Sequence, residues 1–337
     1  MQIGKLPPDT LNRLLAKAGT DPGVIIGPGY GEDAAAVRFG GRVLVAAGDP
    51  VTFTTDRIGC YAVSINANDI AVTGATPRYF LATILLPEDT AESDAECVFD
   101  QINEACGEIG VTLIGGHTEI TPSVDRIVVS GCMLGDAAEE SLVTSAGARV
   151  GDAVILVGGI AVEGTSILAR EASDDLIAKG VSAEVIGRAR SLLDEPGICV
   201  VSYARTAMQS GGITSMHDPT EGGLATGLRE LAAASGHGIT VHRDSIRVLD
   251  ECALICEALG LDPLGLIASG SLLITAPPPD AERMLRAFSE THTPASAIGS
   301  VVRARGRVQF ENGTHVPVFK RDEIARYFAR QNQKQEL

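Results

Sequence analysis

The chain has 337 residues, 45% hydrophobic and 21% charged, with 43 acidic against 27 basic side chains and a formal charge of -16. That length exceeds the size at which a single core stops growing and predicts two domains. The acidic balance argues against nucleic acid and against an anionic membrane surface as partners, while a polyphosphate stays open to it if divalent cations stand between carboxylates and phosphate oxygens.

The first eight residues show no basic segment followed by an apolar one, so no signal peptide is expected, and the longest apolar run, 153–162, has about half the length a bilayer requires. Seven cysteines, an odd number with no C-x-x-C pair, read as free thiols in a reducing cytoplasm. Cys252 and Cys256 share a helix face at i, i+4, and two ligands make a poor metal site, so they read as core.

Residues 1–20 read as an arm and a short helix, with Leu11, Leu14 and Leu15 at helical spacing behind Asp9-Thr10. After the glycine turn at 27–31, segments 34–37 and 42–47 are strand-like, 61–73 a helix, 79–86 a strand and 91–109 a second helix. Segments 111–115 and 126–134 read as buried strands. A second unit begins at Val150-Gly151-Asp152, which gives domains at 1–148 and 149–337. It opens with a strand at 153–157 and a helix at 166–171, continues with helices at 183–193, 198–209 and 221–234, and adds strands at 239–242 and 272–275 before a helix at 279–288. Asn312-Gly313 between 307–310 and 315–318 has the form of a type I′ hairpin, and a polar helix at 321–330 precedes the tail.

Several chemistries are missing. There is no G-x-x-x-x-G-K-[ST] and no G-x-S-x-G, and Gly27-x-Gly29-x-Gly31 leads into a strand where a dinucleotide fingerprint needs a helix. What stands out is a set of aspartates at the ends of apolar segments: Asp33, Asp49, Asp69 and Asp218. Carboxylates converging from several elements repel unless cations lie among them, and Mg²⁺ favours such hard oxygen ligands while bridging to phosphates. Each also has a local reading. Asp33 and Asp49 can be turn residues, Asp69 an exposed helix residue, and Asp218 a helix N-cap with Pro219 at N1 and Glu221 closing a capping box. Two glycine stretches have the form of phosphate sites: Gly115-Gly116-His117-Thr118 at a strand end, and Gly158 to Thr165 running from a strand into a helix N-terminus. His117 lies in the first of these stretches and His217 directly precedes Asp218, and a hydrogen-bonding role suits both better than catalysis.

Gly31-Glu32-Asp33-Ala34-Ala35, Asn68-Asp69-Ile70-Ala71-Val72-Thr73-Gly74, Gly115-Gly116-His117-Thr118, Gly151-Asp152-Ala153 and Asp218-Pro219-Thr220-Glu221-Gly222-Gly223 occur in the order found in the aminoimidazole ribonucleotide synthetase-like (PurM-like) superfamily, which the chain resembles from about Gly4 to Val302. Within it the likeness is strongest to the HypE hydrogenase maturation family, through Gly4-Lys5-Leu6-Pro7-Pro8, 218–225 and 259–264. The resemblance implies two α+β domains, a homodimer whose N-terminal domains share a β-barrel, and ATP in a cleft between the domains. It implies Mg²⁺ on Asp33, Asp49, Asp69 and Asp218, and further ATP contacts at Gly31, Gly115, Gly116, His117, Thr118 and Thr220. Members phosphorylate an oxygen, often of an amide or similar carbonyl, and make it a leaving group, a reaction in which positioning and charge neutralisation provide most of the catalysis.

The chain departs from HypE in four places. HypE uses a C-terminal cysteine as acceptor, whereas the last cysteine here is Cys256, so that chemistry is not expected of the present tail. His117 stands where an acidic residue is usual, and Glu221 and 268–273 also differ. Two classes of function follow: an enzyme phosphorylating a carbonyl, amide or hydroxyl oxygen of an unidentified small-molecule or protein-borne substrate, or a non-catalytic nucleotide-binding regulator or scaffold of the same fold. The complete aspartate set favours the enzyme.

Overall fold

The computed structural model describes Leu6 and residues 8–335; Gly4, Lys5 and Pro7 of the N-terminal motif and the last two residues of the tail lie outside them. The chain divides into two compact units. One comprises residues 19–28 and 32–142, the other residues up to 18, 29–31 and 143 onward. Residues 143–148, placed by the sequence at the end of the first domain, thus pack with the second. No described helix is long and apolar enough to cross a membrane.

Helix α1 (Pro8–Leu15) comes first in the chain and groups with the second unit. The first unit is a mixed sheet of β1 (Val24–Ile26), β2 (Ala35–Phe39), β3 (Arg42–Ala47), β4 (Pro50–Val51), β5 (Thr76–Leu86), β6 (Thr112–Ile120) and β7 (Val128–Ala137), in the order β1-β2-β3-β7-β5-β6 with β4 on β7. Helices α2 (Ile58–Ala71) and α3 (Glu92–Ile109) complete it. α2 packs on the sheet and on α3, so it is buried nearly all round, including its polar Asn66, Asn68 and Asp69. A side chain at Gly59 would meet the Gln101 Cβ at 2.7 Å, so this glycine sets how closely the two helices approach. β5 and β6 are parallel and need a crossover, which α3 supplies. β6 ends the sheet, and all its residues except Leu113 are exposed.

The second unit is built on β8 (Ala153–Val157), β9 (Ser215–His217), β10 (Gly238–Val241), β11 (Leu272–Ala276), β12 (Ala295–Val302) and β13 (Val308–Phe310), in the order β13-β10-β12-β8-β11-β9. β11 is buried at every residue, Thr275 included, so it shows none of the alternation of a half-exposed strand. Around the sheet run α4 (Val162–Glu171), α5 (Ser173–Ala178), α6 (Ala183–Ser191), α7 (Val201–Ser210), α8 (Gly223–Ser235), α9 (Asp250–Leu259), α10 (Pro278–Glu290) and α11 (Glu323–Gln335). Leu156, Leu224, Leu228, Ile239, Ile298 and Phe310 share one core cluster.

Three sequence expectations change. β13 pairs in parallel with β10, and its partner across Asn312-Gly313 is a single Gln309–His315 bridge. Only Gly313 of the turn has positive φ, and the Asn312 carboxamide oxygen accepts from the Thr314 N–H, an Asx turn in place of type I′. The helix expected to be polar, α11, buries Ile324, Ala325 and Tyr327. β12, unrecognised in the sequence, lies between β10 and β8, and its Gly299 has no space for a side chain because a Cβ would stand 2.1 Å from the Thr240 carbonyl oxygen.

Candidate functional site

In the first unit, Asp33 follows the Gly31 turn and precedes β2, while Asp69 lies near the end of α2 and is only 3% exposed. The exposed-helix reading of Asp69 is therefore overturned: α2 is covered on both sides, so no face of it is free at that point. A carboxylate oxygen of Asp33 and one of Asp69 lie within 4.8 Å of each other. Two carboxylates this close, one of them buried, form a hard oxygen donor set suited to Mg²⁺. Asp49, between β3 and β4, is exposed, and its backbone is held from both ends by one side chain. The Asn66 carboxamide oxygen accepts from the Asp49 N–H at 2.9 Å, and the Asn66 NH₂ donates to the Asp49 carbonyl at 3.1 Å. Asn66 opens the Asn66-Ala67-Asn68-Asp69 stretch, and its place three residues before a candidate ligand is its one sequence signal, because its burial belongs to the fold.

Gly115, Gly116, His117 and Thr118 lie inside β6 and not in a loop at a strand end. A Cβ on Gly116 would come within 1.8 Å of the Ala82 carbonyl oxygen on β5, so the glycine is needed for strand pairing. His117 is exposed, with Nε2 3.2 Å from the Glu119 carboxylate.

In the second unit, Asp218 directly follows β9 and is 1% exposed. Its capping-box reading fails, because α8 begins at Gly223 and its N-cap is Gly222. Both glycines have positive φ and make a tight turn in which the Gly223 N–H donates to the Thr220 carbonyl. The Thr220 carbonyl also accepts from the Ala268 N–H at 3.2 Å, and a Cβ on Gly223 would strike the Leu264 and Leu266 carbonyls. Next to Asp218, His217 is buried against Glu230 of α8, Nε2 to Oε2 3.1 Å. Glu230 in turn lies against Gly31, where an added Cβ would meet the Glu230 Cβ at 3.3 Å.

The second glycine stretch is not an anion cradle. α4 begins at Val162, four residues before the expected start, and the amides of the approach are occupied: Ile160 N–H donates to the Arg247 carbonyl, Glu163 N–H to Ser269 and Gly164 N–H to Ile267. The same first turn carries the buried Glu163, 3% exposed, an acidic group that disfavours an anion at this helix start. Cys252 and Cys256 are buried with their Sγ atoms 4.0 Å apart, and the Cys256 thiol is pushed well above its ordinary pKa by its contact with Cys252 and by burial. They belong to the core, as expected.

Models of AIR synthase related proteins match the chain twice, the N-terminal domain over residues 31–137 and the C-terminal domain over 149–311. A putative hydrogenase expression/formation protein of Methanocaldococcus jannaschii is 33% identical over 267 residues, covering 77% of this chain and 75% of that one. The carbamoyl dehydratase HypE of Cupriavidus necator is 29% identical over 293 residues, covering 85% and 78%. A crystal structure of the hydrogenase maturation protein HypE in complex with ATP aligns with a TM-score of 0.69 at 25% identity, over 94% of this chain and 91% of that one.

Proposed function

The chain belongs to the AIR synthase-related protein family, and from that membership we propose that it is a Mg·ATP-dependent enzyme that phosphorylates a carbonyl, amide or hydroxyl oxygen of its substrate. The observation that carries the reading is the Asp33–Asp69 pair, with one carboxylate buried and the two within 4.8 Å, a placement that is unfavourable without a cation and suited to one with it. The similarity to an ATP-bound HypE structure supports the nucleotide. The Cupriavidus relative is named a carbamoyl dehydratase. Dehydration of a carbamoyl group must expel its oxygen, and phosphorylation makes that oxygen a leaving group.

In this reading Asp33, Asp49, Asp69 and Asp218 hold Mg²⁺, and Gly31, Gly115, Gly116, His117, Thr118 and Thr220 contact ATP. When bound, Mg·ATP supplies the phosphoryl group and neutralises the charge that builds up on its oxygens. The chain's own contribution is placement. Asn66 fixes the backbone of Asp49, the His217–Glu230 pair fixes the strand end that carries Asp218, and the Gly222-Gly223 turn fixes Thr220. The enzyme acts as a homodimer paired through the first unit, on a small-molecule or protein-borne acceptor, with domains divided near residue 148.

Calorimetric titration of Mg·ATP into the wild type, followed by mass spectrometry of the products formed from ATP and metabolite extracts, tests the proposal. Binding together with a phosphorylated or dehydrated product is expected. Binding with no turnover favours a regulatory module, and no binding defeats the reading.

A further inference from the structure

Asp322 is 1% exposed and immediately precedes α11. Its Oδ1 accepts the Ile324 N–H at 2.7 Å, an ordinary N-cap bond to its own helix. Its Oδ2 accepts the Gly222 N–H at 2.6 Å, one hundred residues away in sequence, at the start of α8. One buried carboxylate thus serves the N-termini of two helices, and the second bond is unnecessary for capping the first. The turn that it holds is the one that ends Asp218-Pro219-Thr220-Glu221. Gly222 has no space for a side chain there, since a Cβ would lie 2.2 Å from the Thr226 Oγ1.

The rest of the α11 start is anchored elsewhere. The Glu323 carboxylate accepts the Asp262 N–H at 3.0 Å and pairs with Arg326, which donates to the Gly260 carbonyl at 2.8 Å. Tyr327 and Gln331 both donate to Asp175. Docking of α11 is therefore secured by several contacts, and Asp322 alone among these carries it to the Gly222 turn.

We infer that Asp322 is a positioning residue for the Asp218–Thr220 segment: its carboxylate ties the Gly222 turn to the first turn of α11, and this one bond sets the segment for Mg·ATP. The inference rests on the Mg·ATP reading above. It predicts that a perturbation at the C-terminal helix, far along the chain from every nucleotide-contacting residue, changes nucleotide affinity through one bond.

Asp322→Asn separates this role from simple capping. Asn caps a helix about as well as Asp, so the bond to Ile324 survives through its oxygen. Its NH₂ then faces the Gly222 N–H, and two donors cannot bond each other. Arg326→Met is the control, because it loosens α11 at Glu323 and Gly260 without touching the turn. The measurements are Mg·ATP titration calorimetry, melting curves, and hydrogen exchange of peptides covering 218–226, on the full chain. Asp322→Asn is expected to raise Kd by about tenfold and to speed exchange in 218–226, while Arg326→Met lowers the melting temperature and leaves Kd within about twofold of wild type. An Asp322→Asn Kd equal to wild type, or equal rises in Kd for both variants, overturns the inference. A wild type that fails to bind Mg·ATP refutes the functional reading instead, and unchanged exchange in Asp322→Asn refutes the tie without reference to nucleotide.

Discussion

Asp69→Asn should invert the order of stability with and without ligand. The Asp33 and Asp69 carboxylate oxygens are at most 4.8 Å apart. Two like charges at that distance repel by about 3 kcal/mol at an effective dielectric of about 20. Asp33 is partly exposed, and screening by solvent and salt reduces this to about 1–2 kcal/mol. Asn keeps the shape and removes one charge, so the metal-free variant should melt roughly 2–8 °C above wild type. Mg·ATP at about 100 times its Kd adds about 2.7 kcal/mol to wild type, and much less to the variant, whose ligand set is incomplete. The melting curves should therefore cross: the variant higher without ligand, the wild type higher with it. Asp152→Asn provides the contrast, since the buried Asp152 accepts the Arg149 N–H and the Thr214 hydroxyl and is not among the candidate ligands. It should melt lower in both conditions. Calorimetry with and without Mg·ATP decides. An Asp69→Asn protein that melts below wild type when metal-free, yet gains as much from Mg·ATP, would show that the pair is not a cation site.

Burial raises the Asp322 carboxyl to about 7. A carboxyl whose folded pKa is raised contributes stability that is present below about 4 and lost as pH rises through about 7, here about 4 kcal/mol in all. Urea unfolding should show the wild type losing about 2–3 kcal/mol relative to Asp322→Asn between pH 5 and pH 8, and parallel curves would contradict the raised pKa. Light scattering at micromolar concentration should give twice the chain mass, and a double change of Ile114 and Ile120, exposed on β6, to lysine should give a monomer; a monomeric wild type would count against the dimer. Gly116→Val places a side chain where the Ala82 carbonyl stands and should cost about 3 kcal/mol or more, so an unchanged melting temperature would mean that the β5–β6 register is wrong.

The alternation of fold elements could be read from hydrophobic runs and glycine punctuation, because these are local signals. β3 and β8, for example, have the expected bounds. Burial of polar residues could not be read this way. Asp69 has an unremarkable place on a helix, and only the packing of α2 between sheet and α3 makes it an interior group. Asp218 offered a convincing capping pattern, Asp-Pro-x-Glu, which the two positive-φ glycines overrode by starting the helix later. Gly115 to Thr118 looked like a loop because two adjacent glycines usually mean a turn, whereas here at least one is needed for close strand pairing. The amphipathic face of α11 was obscured by its arginines and glutamines, and β12 by its alanines and serines. Asp322 carried no motif at all, since its partner lies one hundred residues away.

The two sheets guard their edges differently. The second ends in β9 and β13, three residues each, too short to recruit another strand, and β9 is buried throughout. The first ends in β6, nine residues long and open along its outer side. An isolated chain therefore carries a ready template for any extended segment, its own kind included. In the homodimer proposed to pair through this unit, dilution uncovers that strand, so the first unit should lose stability as concentration falls while the second does not. During synthesis the first unit emerges earlier, and until its edge is covered it is the part of the molecule most exposed to mispairing in a crowded cell.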